Sequence, residues 1–178
     1  PINILEIGIG EAKLCRSRAW WGKCRITIIE PHPLFAAAMA LETRGVSGIE
    51  VLPVAVADDR SPIGFYCFNN SSHIEGVKSR RPSRGLRELE THRVPVQGIQ
   101  LCDIDQGDYD LALIDAEASE WWALKHMVSR PRFLSLELYQ PSVKGYVHFQ
   151  QRNIRRWLDS NNYYQVGRCE RDGYFVRK

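Results

Sequence analysis

Acids at strand ends and a pair of glycines carry the chemistry of this chain. The run Ile2-Asn3-Ile4-Leu5-Glu6-Ile7-Gly8-Ile9-Gly10-Glu11-Ala12 leads an apolar stretch into an acid and then into two glycines one residue apart. That is the pattern of a buried parallel strand handing over to a loop laid close against a ligand. Glycine has no Cβ and accepts positive φ, so a nucleoside can press on bare main chain at Gly8 and Gly10. A second apolar run, Arg25 to Glu30, ends in an acid twenty residues after Gly10. A carboxylate at that place accepts hydrogen bonds from both hydroxyls of a ribose. Small residues from Ala55 to Asp58, after a third apolar run, leave space for an adenine.

A further set of acids suits proton transfer. Asp115-Ala116-Glu117-Ala118-Ser119-Glu120 follows the clearest central strand, Tyr109–Asp115. In an open α/β sheet, ligands sit beyond the carboxyl ends of the strands. Asp115 and Glu117 are thus aimed at the cleft, where they can position an amine, take a proton from a hydroxyl nucleophile or hold a divalent ion. The plain alternative makes both of them helix N-terminal acids favoured by the dipole, and Glu120 reads as a helix-surface residue. Glu137 lies in the apolar run Leu134–Tyr139, where a carboxylate must be paired or point into the cleft. His73 is the histidine best placed for proton transfer, on a loop able to fold over the site. His32, between two prolines, reads as structural or exposed, and His92, His126 and His148 as surface residues. No histidines are spaced as a metal cluster and there is no Cys-x-x-Cys, which speaks against a thiolate zinc site; no metal-ligand set is assigned from the sequence, and use of a divalent ion stays open.

The elements that must position these residues alternate. Strands are expected at Ile2–Ile7, Arg25–Glu30, Ile49–Val56, Ile63–Phe68, Val94–Leu101, Tyr109–Asp115 and Phe133–Tyr139. Helices are expected at 12–22, Leu34–Thr43, Ala118–Val128 and Gly145–Ser160, the third with Trp121, Leu124 and Val128 on one face. Tyr163–Arg168 and Tyr174–Arg177 read as a closing hairpin. Such alternation predicts a mainly parallel α/β sheet covered on both faces. Residues 69–92 read as a long basic surface loop. At 178 residues, 44% hydrophobic and 25% charged, the chain is expected to be one globular domain. The longest apolar run, Leu34–Leu41, is too short to span a membrane. Five cysteines, an odd number, speak for reduced thiols and a cytoplasmic location. Pro1 stands directly before a strand, so a preceding segment is expected to be missing. The net charge of +3 is too small to imply a nucleic-acid partner.

The glycine pair narrows the ligand. A dinucleotide fingerprint wants a third glycine where Lys13 stands. Glu6, Gly8, Gly10 and Ala12 instead fill acid-x-Gly-x-Gly-x-small, the pattern of a methyltransferase fold, in which Glu6 anchors the loop or the amino group of the donor. The chain resembles the FkbM-type S-adenosylmethionine-dependent methyltransferases through Leu5–Gly10, Ile28-Ile29-Glu30-Pro31-His32-Pro33, Val54–Asp58 and Leu113–Glu120. The resemblance implies a class I, Rossmann-like sheet of seven strands with an inserted hairpin and an antiparallel strand near the end. It also implies S-adenosyl-L-methionine as cofactor and a hydroxyl acceptor on a small molecule or glycan. Donor contacts would come from Glu6, Gly8, Gly10, Glu30, Pro31, Ala55, Asp58 and Asp115, and catalysis from Asp115, Glu117 and His73. Lys13 and Ala118 depart from the family pattern and motivate one alternative, a non-catalytic nucleoside-binding module. The Arg-rich loop offers another, an RNA-binding protein.

Overall fold

The computed structural model describes residues 1–9, 18–67, 72–75, 92–117, 119–138, 148–169 and 171–178. The larger sheet has seven strands: β1 (Ile2–Ile7), β2 (Cys24–Ile29), β3 (Ile49–Leu52), β8 (Leu111–Ile114), β9 (Phe133–Glu137), β10 (Tyr163–Cys169) and β11 (Asp172–Arg177). Their spatial order is β10-β11-β9-β8-β1-β2-β3. The chain begins at β1, winds outward through β2 and β3, then returns to lay β8 on the other side of β1. All pairs from β3 to β9 are parallel, and β11 alone runs against its neighbours β9 and β10. The reversal of winding between β1 and β8 is the switch point at which such sheets open a crevice.

β1 runs through the middle, so its residues feed two cores. Leu5 and Ile7 join the cluster that includes Leu124 and Ile154, whereas Ile4 joins Ile26, Ile28 and Met39. Alternate side chains point to opposite faces of a strand, and a strand covered on both faces reads as a continuous apolar run. Helix α1 (Pro33–Glu42) covers one face, with Pro33 opening it at the first turn. Helices α2 (Glu120–His126) and α3 (His148–Ser160) pack together on the other, where Ile154 and Leu158 are buried and Trp157 packs against the core.

A second sheet of β4 (Ala55–Val56), β5 (Pro62–Tyr66), β6 (His73–Ile74) and β7 (Arg93–Ile99) is inserted between β3 and β8, in the order β4-β7-β5-β6. The expected single strand Ile49–Val56 is therefore two. Pro53 cannot donate to a ladder, so the chain leaves the large sheet at Leu52 and rejoins pairing in the small one at Ala55. The expected pairing of the runs around Ile63 and Val94 is present as β5 against β7. The long basic loop contributes β6; its residues 69–71 and 76–91 lie outside the described residues. So does most of the expected 12–22 helix, whose end holds a single 3₁₀ turn at Arg18–Trp20. Helix α2 stops at His126, leaving Val128 52% exposed rather than on an inward face. The four described cysteines are free. No helix of the described residues is long and apolar enough to cross a membrane.

Asp105 locks the turn before β8 to the end of α2. Its buried carboxylate accepts hydrogen bonds from Gly107 N–H (2.9 Å), Val128 N–H (2.7 Å) and Ser129 N–H (2.8 Å), and from the Ser129 hydroxyl. Asp105→Ala strands buried donors and is expected to destabilise the chain by about 2–3 kcal/mol. A lowered urea midpoint at unchanged slope checks this.

Candidate active site

At the end of β1 the backbone turns sharply. Gly8 has φ +77°, donates its N–H to Ile29 O (2.9 Å), and lies against the main chain of Asp115. A Cβ at Gly8 would sit 1.9 Å from Asp115 O. The missing side chain is thus required by packing against β8's end. Asp115 N–H in turn donates to Ile7 O at 2.9 Å. Gly10 lies outside the described residues.

The acid at the end of β2 closes this junction. Glu30 is buried; its Oε2 accepts the Ile9 N–H (2.9 Å) and its Oε1 the His32 N–H (2.7 Å). One carboxylate therefore joins the loop leaving β1 to the turn leaving β2, with half-buried Pro31 inside that turn. His32 is buried rather than exposed, stacked on Phe35 with ring centroids 4.2 Å apart and set edge-on to Phe65 at 6.5 Å. Burial pushes its imidazole pKa down. Phe65 belongs to β5, so the inserted sheet leans over the carboxyl end of β2. Cys67, just after β5, has its thiol pushed up by burial and by the Glu30 charge. The His32–Phe35 contact was legible as an i, i+3 pair at a helix start. The approach of Phe65 and Cys67 was not, because it depends on where a distant insertion folds.

Acids gather at the ends of β8 and β9. Asp115 and Glu117 follow β8, both half-buried, and Glu117 has φ +45°, an uncommon conformation for a residue with a side chain. Glu120 is fully buried, and its Oε1 accepts the Ala116 N–H at 3.1 Å. It is not the surface residue expected from the sequence. The helix starts at Glu120 instead of Ala118, and first-turn side chains tilt back toward the N-terminus, here onto the end of β8. Glu137 ends β9 and is buried; Arg171 Nη1 reaches its Oε1 at 3.5 Å. One oxygen each from Asp115, Glu120 and Glu137 lies within 4.8 Å of the others. Burial, then the charge and hydrogen-bonded contact of Asp115, then the charges of Glu120 and Glu117, push the Glu137 carboxyl up to about 10.

The other sequence candidates are spread around this junction. Glu6 is buried on β1, in register with Ile28 and Leu113. Ala55 is buried in the apolar cluster of Phe65, Ile74 and Val96. Asp58 Oδ1 accepts from Lys125 Nζ (2.6 Å) and meets His126 Nε2 (2.7 Å), and both neighbours hold its carboxyl below the usual range. His126 is thereby half-buried against the Asp58 carboxylate rather than free at the surface. His73 lies on strand β6, paired with Tyr66 at a ring separation of 5.3 Å, and is buried. It is part of a sheet, not a loop, because residues 73–74 complete the ladder on β5.

Solved structures show what this architecture is similar to. That of monomeric WbdD aligns with a TM-score of 0.50 and 14% identity over 99% of this chain, which spans 36% of that longer chain. A SAM-dependent methyltransferase from Aquifex aeolicus gives 0.43 and 10% over 98% of this chain and 81% of its own. Aeropyrum pernix fibrillarin in complex with natively bound S-adenosyl-L-methionine gives 0.47 and 12%, over 98% and 65%. At such identities the likeness is one of fold. No protein-family model and no curated protein matches the chain. With its strand order, the chain has the Rossmann-like fold of class I methyltransferases.

Two outcomes follow from this geometry. Gly8→Ala meets both an unfavourable φ, worth about 1–3 kcal/mol, and the Asp115 carbonyl; equilibrium unfolding is expected to show at least that loss. Glu137 holds its proton in the folded state between its ordinary value of 4.5 and about 10. The folded state therefore binds more protons than the unfolded one across that window, and stability falls as pH rises through it, by up to about 1.4 kcal/mol per unit. Glu137→Gln cannot ionise, so urea midpoints compared at low and high pH in chelator-treated buffer are expected to lose that part of the slope.

Proposed function

We propose that this single domain, residues 1–178, binds S-adenosyl-L-methionine and transfers its methyl group to a hydroxyl oxygen of a sugar or small natural product, as the FkbM-type resemblance implies. The observation that carries this reading is the Glu30 carboxylate, buried at the end of β2 and bonded to the main chain of the loop after Gly8. An adenosyl group fits the residues present: a rigidly held acid for the ribose diol, main chain without a side chain at Gly8, and the His32–Phe35 stack beside them. Glu6, Gly10, Pro31, Ala55 and Asp58 complete the proposed donor contacts. The ion pair of Asp58 with Lys125 and its hydrogen bond with His126 give it a structural task as well.

When bound, the donor supplies a sulfonium methyl that is already electrophilic. The chain's part is then alignment, worth about 7–11 kcal/mol in well-oriented reactions. Asp115 orients the donor amine or the acceptor at the junction of the two. Glu117 takes the hydroxyl proton, a task worth roughly 10²–10⁴-fold, with His73 the alternative base. Glu137, holding its own proton, keeps one more negative charge away from Asp115.

Glu30→Ala is expected to weaken binding of S-adenosylhomocysteine by about 1–3 kcal/mol in calorimetry. Unchanged affinity in a folded variant removes the ribose assignment. Donor binding with no turnover on any hydroxyl acceptor favours the non-catalytic module.

A further inference from the structure

We propose that Asp115, Glu120 and Glu137 form a binding site for one hard divalent cation, of the Mg²⁺ or Mn²⁺ class. The three carboxylates come from three elements: the end of β8, the first turn of α2 and the end of β9. One oxygen from each lies within 4.8 Å of the other two, close enough to share an ion. Glu120 and Glu137 are both buried, and acids are almost never fully buried without compensation. Glu137 supplies the observation that points to a ligand. Its side chain is 94% buried, its Oε2 accepts no hydrogen bond, and its carboxyl group faces the carboxylates of Asp115 and Glu120. Carboxyl oxygens facing one another at that range need a positive charge shared between them, which a proton supplies when the site is empty and a divalent cation supplies when it displaces that proton.

The donor set chooses the ion. Three carboxylate oxygens without imidazole or thiolate suit Mg²⁺, Mn²⁺ or Ca²⁺ and not zinc or copper. The Glu120 oxygen is oriented by the Ala116 N–H and Glu137 by Arg171, so two of the three ligands are already held by other groups. Three protein ligands leave the remaining positions of a six-coordinate ion to water or to oxygens of an acceptor. A cation there would hold the acceptor hydroxyl and ease its deprotonation beside Glu117. That role rests on the proposed methyl transfer; the binding site itself does not.

The test uses the full chain stripped with EDTA and titrated with MnCl₂ or MgCl₂. One ion per chain by calorimetry and by the loss of the free Mn²⁺ spectrum, with a rise in melting temperature, is expected. Glu137→Gln and Glu120→Gln keep the shape of the side chain and are expected to weaken binding about tenfold or more. Either of two results overturns the site. One is no uptake and no thermal shift at millimolar cation. The other is uptake equal in wild type and both variants, which marks an adventitious ion only and leaves a proton as the occupant of the cluster. A parallel titration with S-adenosylhomocysteine separates the two readings. Cation uptake without nucleoside binding removes the methyltransferase reading and keeps the site, and the reverse result keeps the methyltransferase reading and removes the site.

Discussion

The junction of β1, β2 and α1 is organised by one buried carboxylate. Glu30 stands at the end of β2 and accepts main-chain hydrogen bonds from Ile9, on the loop after β1, and from His32, at the start of α1. Charge-assisted bonds of this kind are shorter and stronger than neutral ones. They tie the three segments together. Gly8 supplies the complementary constraint, since only a residue without Cβ lets β1 turn away beneath the Asp115 carbonyl. The switch point of the sheet is thus closed by a side chain on one flank and by bare backbone on the other.

Beyond that junction the sheet ends in negative charge. Asp115, Glu117, Glu120 and Glu137 come from β8, its following turn, α2 and β9, and two of them are buried. Burying carboxylates beside one another opposes folding, because each loses solvation and repels the next. Burial and the neighbouring carboxylates raise the Glu137 carboxyl's hold on a proton, and Glu120 is oriented on a main-chain amide. A left-handed residue at Glu117 in the same turn adds local strain of the sort that collects at functional sites. Among the described residues, buried like charges and a left-handed backbone residue thus share one end of the sheet.

Local chemistry explains which features were legible before folding. Runs such as Ile4–Ile7 and Cys24–Ile29 announce parallel strands because strands covered on both faces need apolar residues throughout. The acid after β2 and the acids after β8 are legible because strand ends in an open α/β sheet face its crevice. The break at Pro53 was written in the residue but needed the second sheet to give it meaning. Glu120 misled because a one-turn shift in helix start reverses whether its carboxylate meets water or the end of β8. His73 misled because a polar segment hid a two-residue strand that pairs with β5.

What the residues determined alone is therefore the alternation of elements, the turn at Gly8 and the acids at strand ends, all of which depend on neighbours within a few positions. What tertiary structure decided is which groups meet. The edge-on approach of the inserted Phe65 to His32, the ion pair of Asp58 with α2, and the convergence of Asp115 and Glu120 with Glu137 each join segments far apart in sequence. Periodicity measures only the faces of a single element, whereas contact between elements depends on the winding that brings β8 back beside β1.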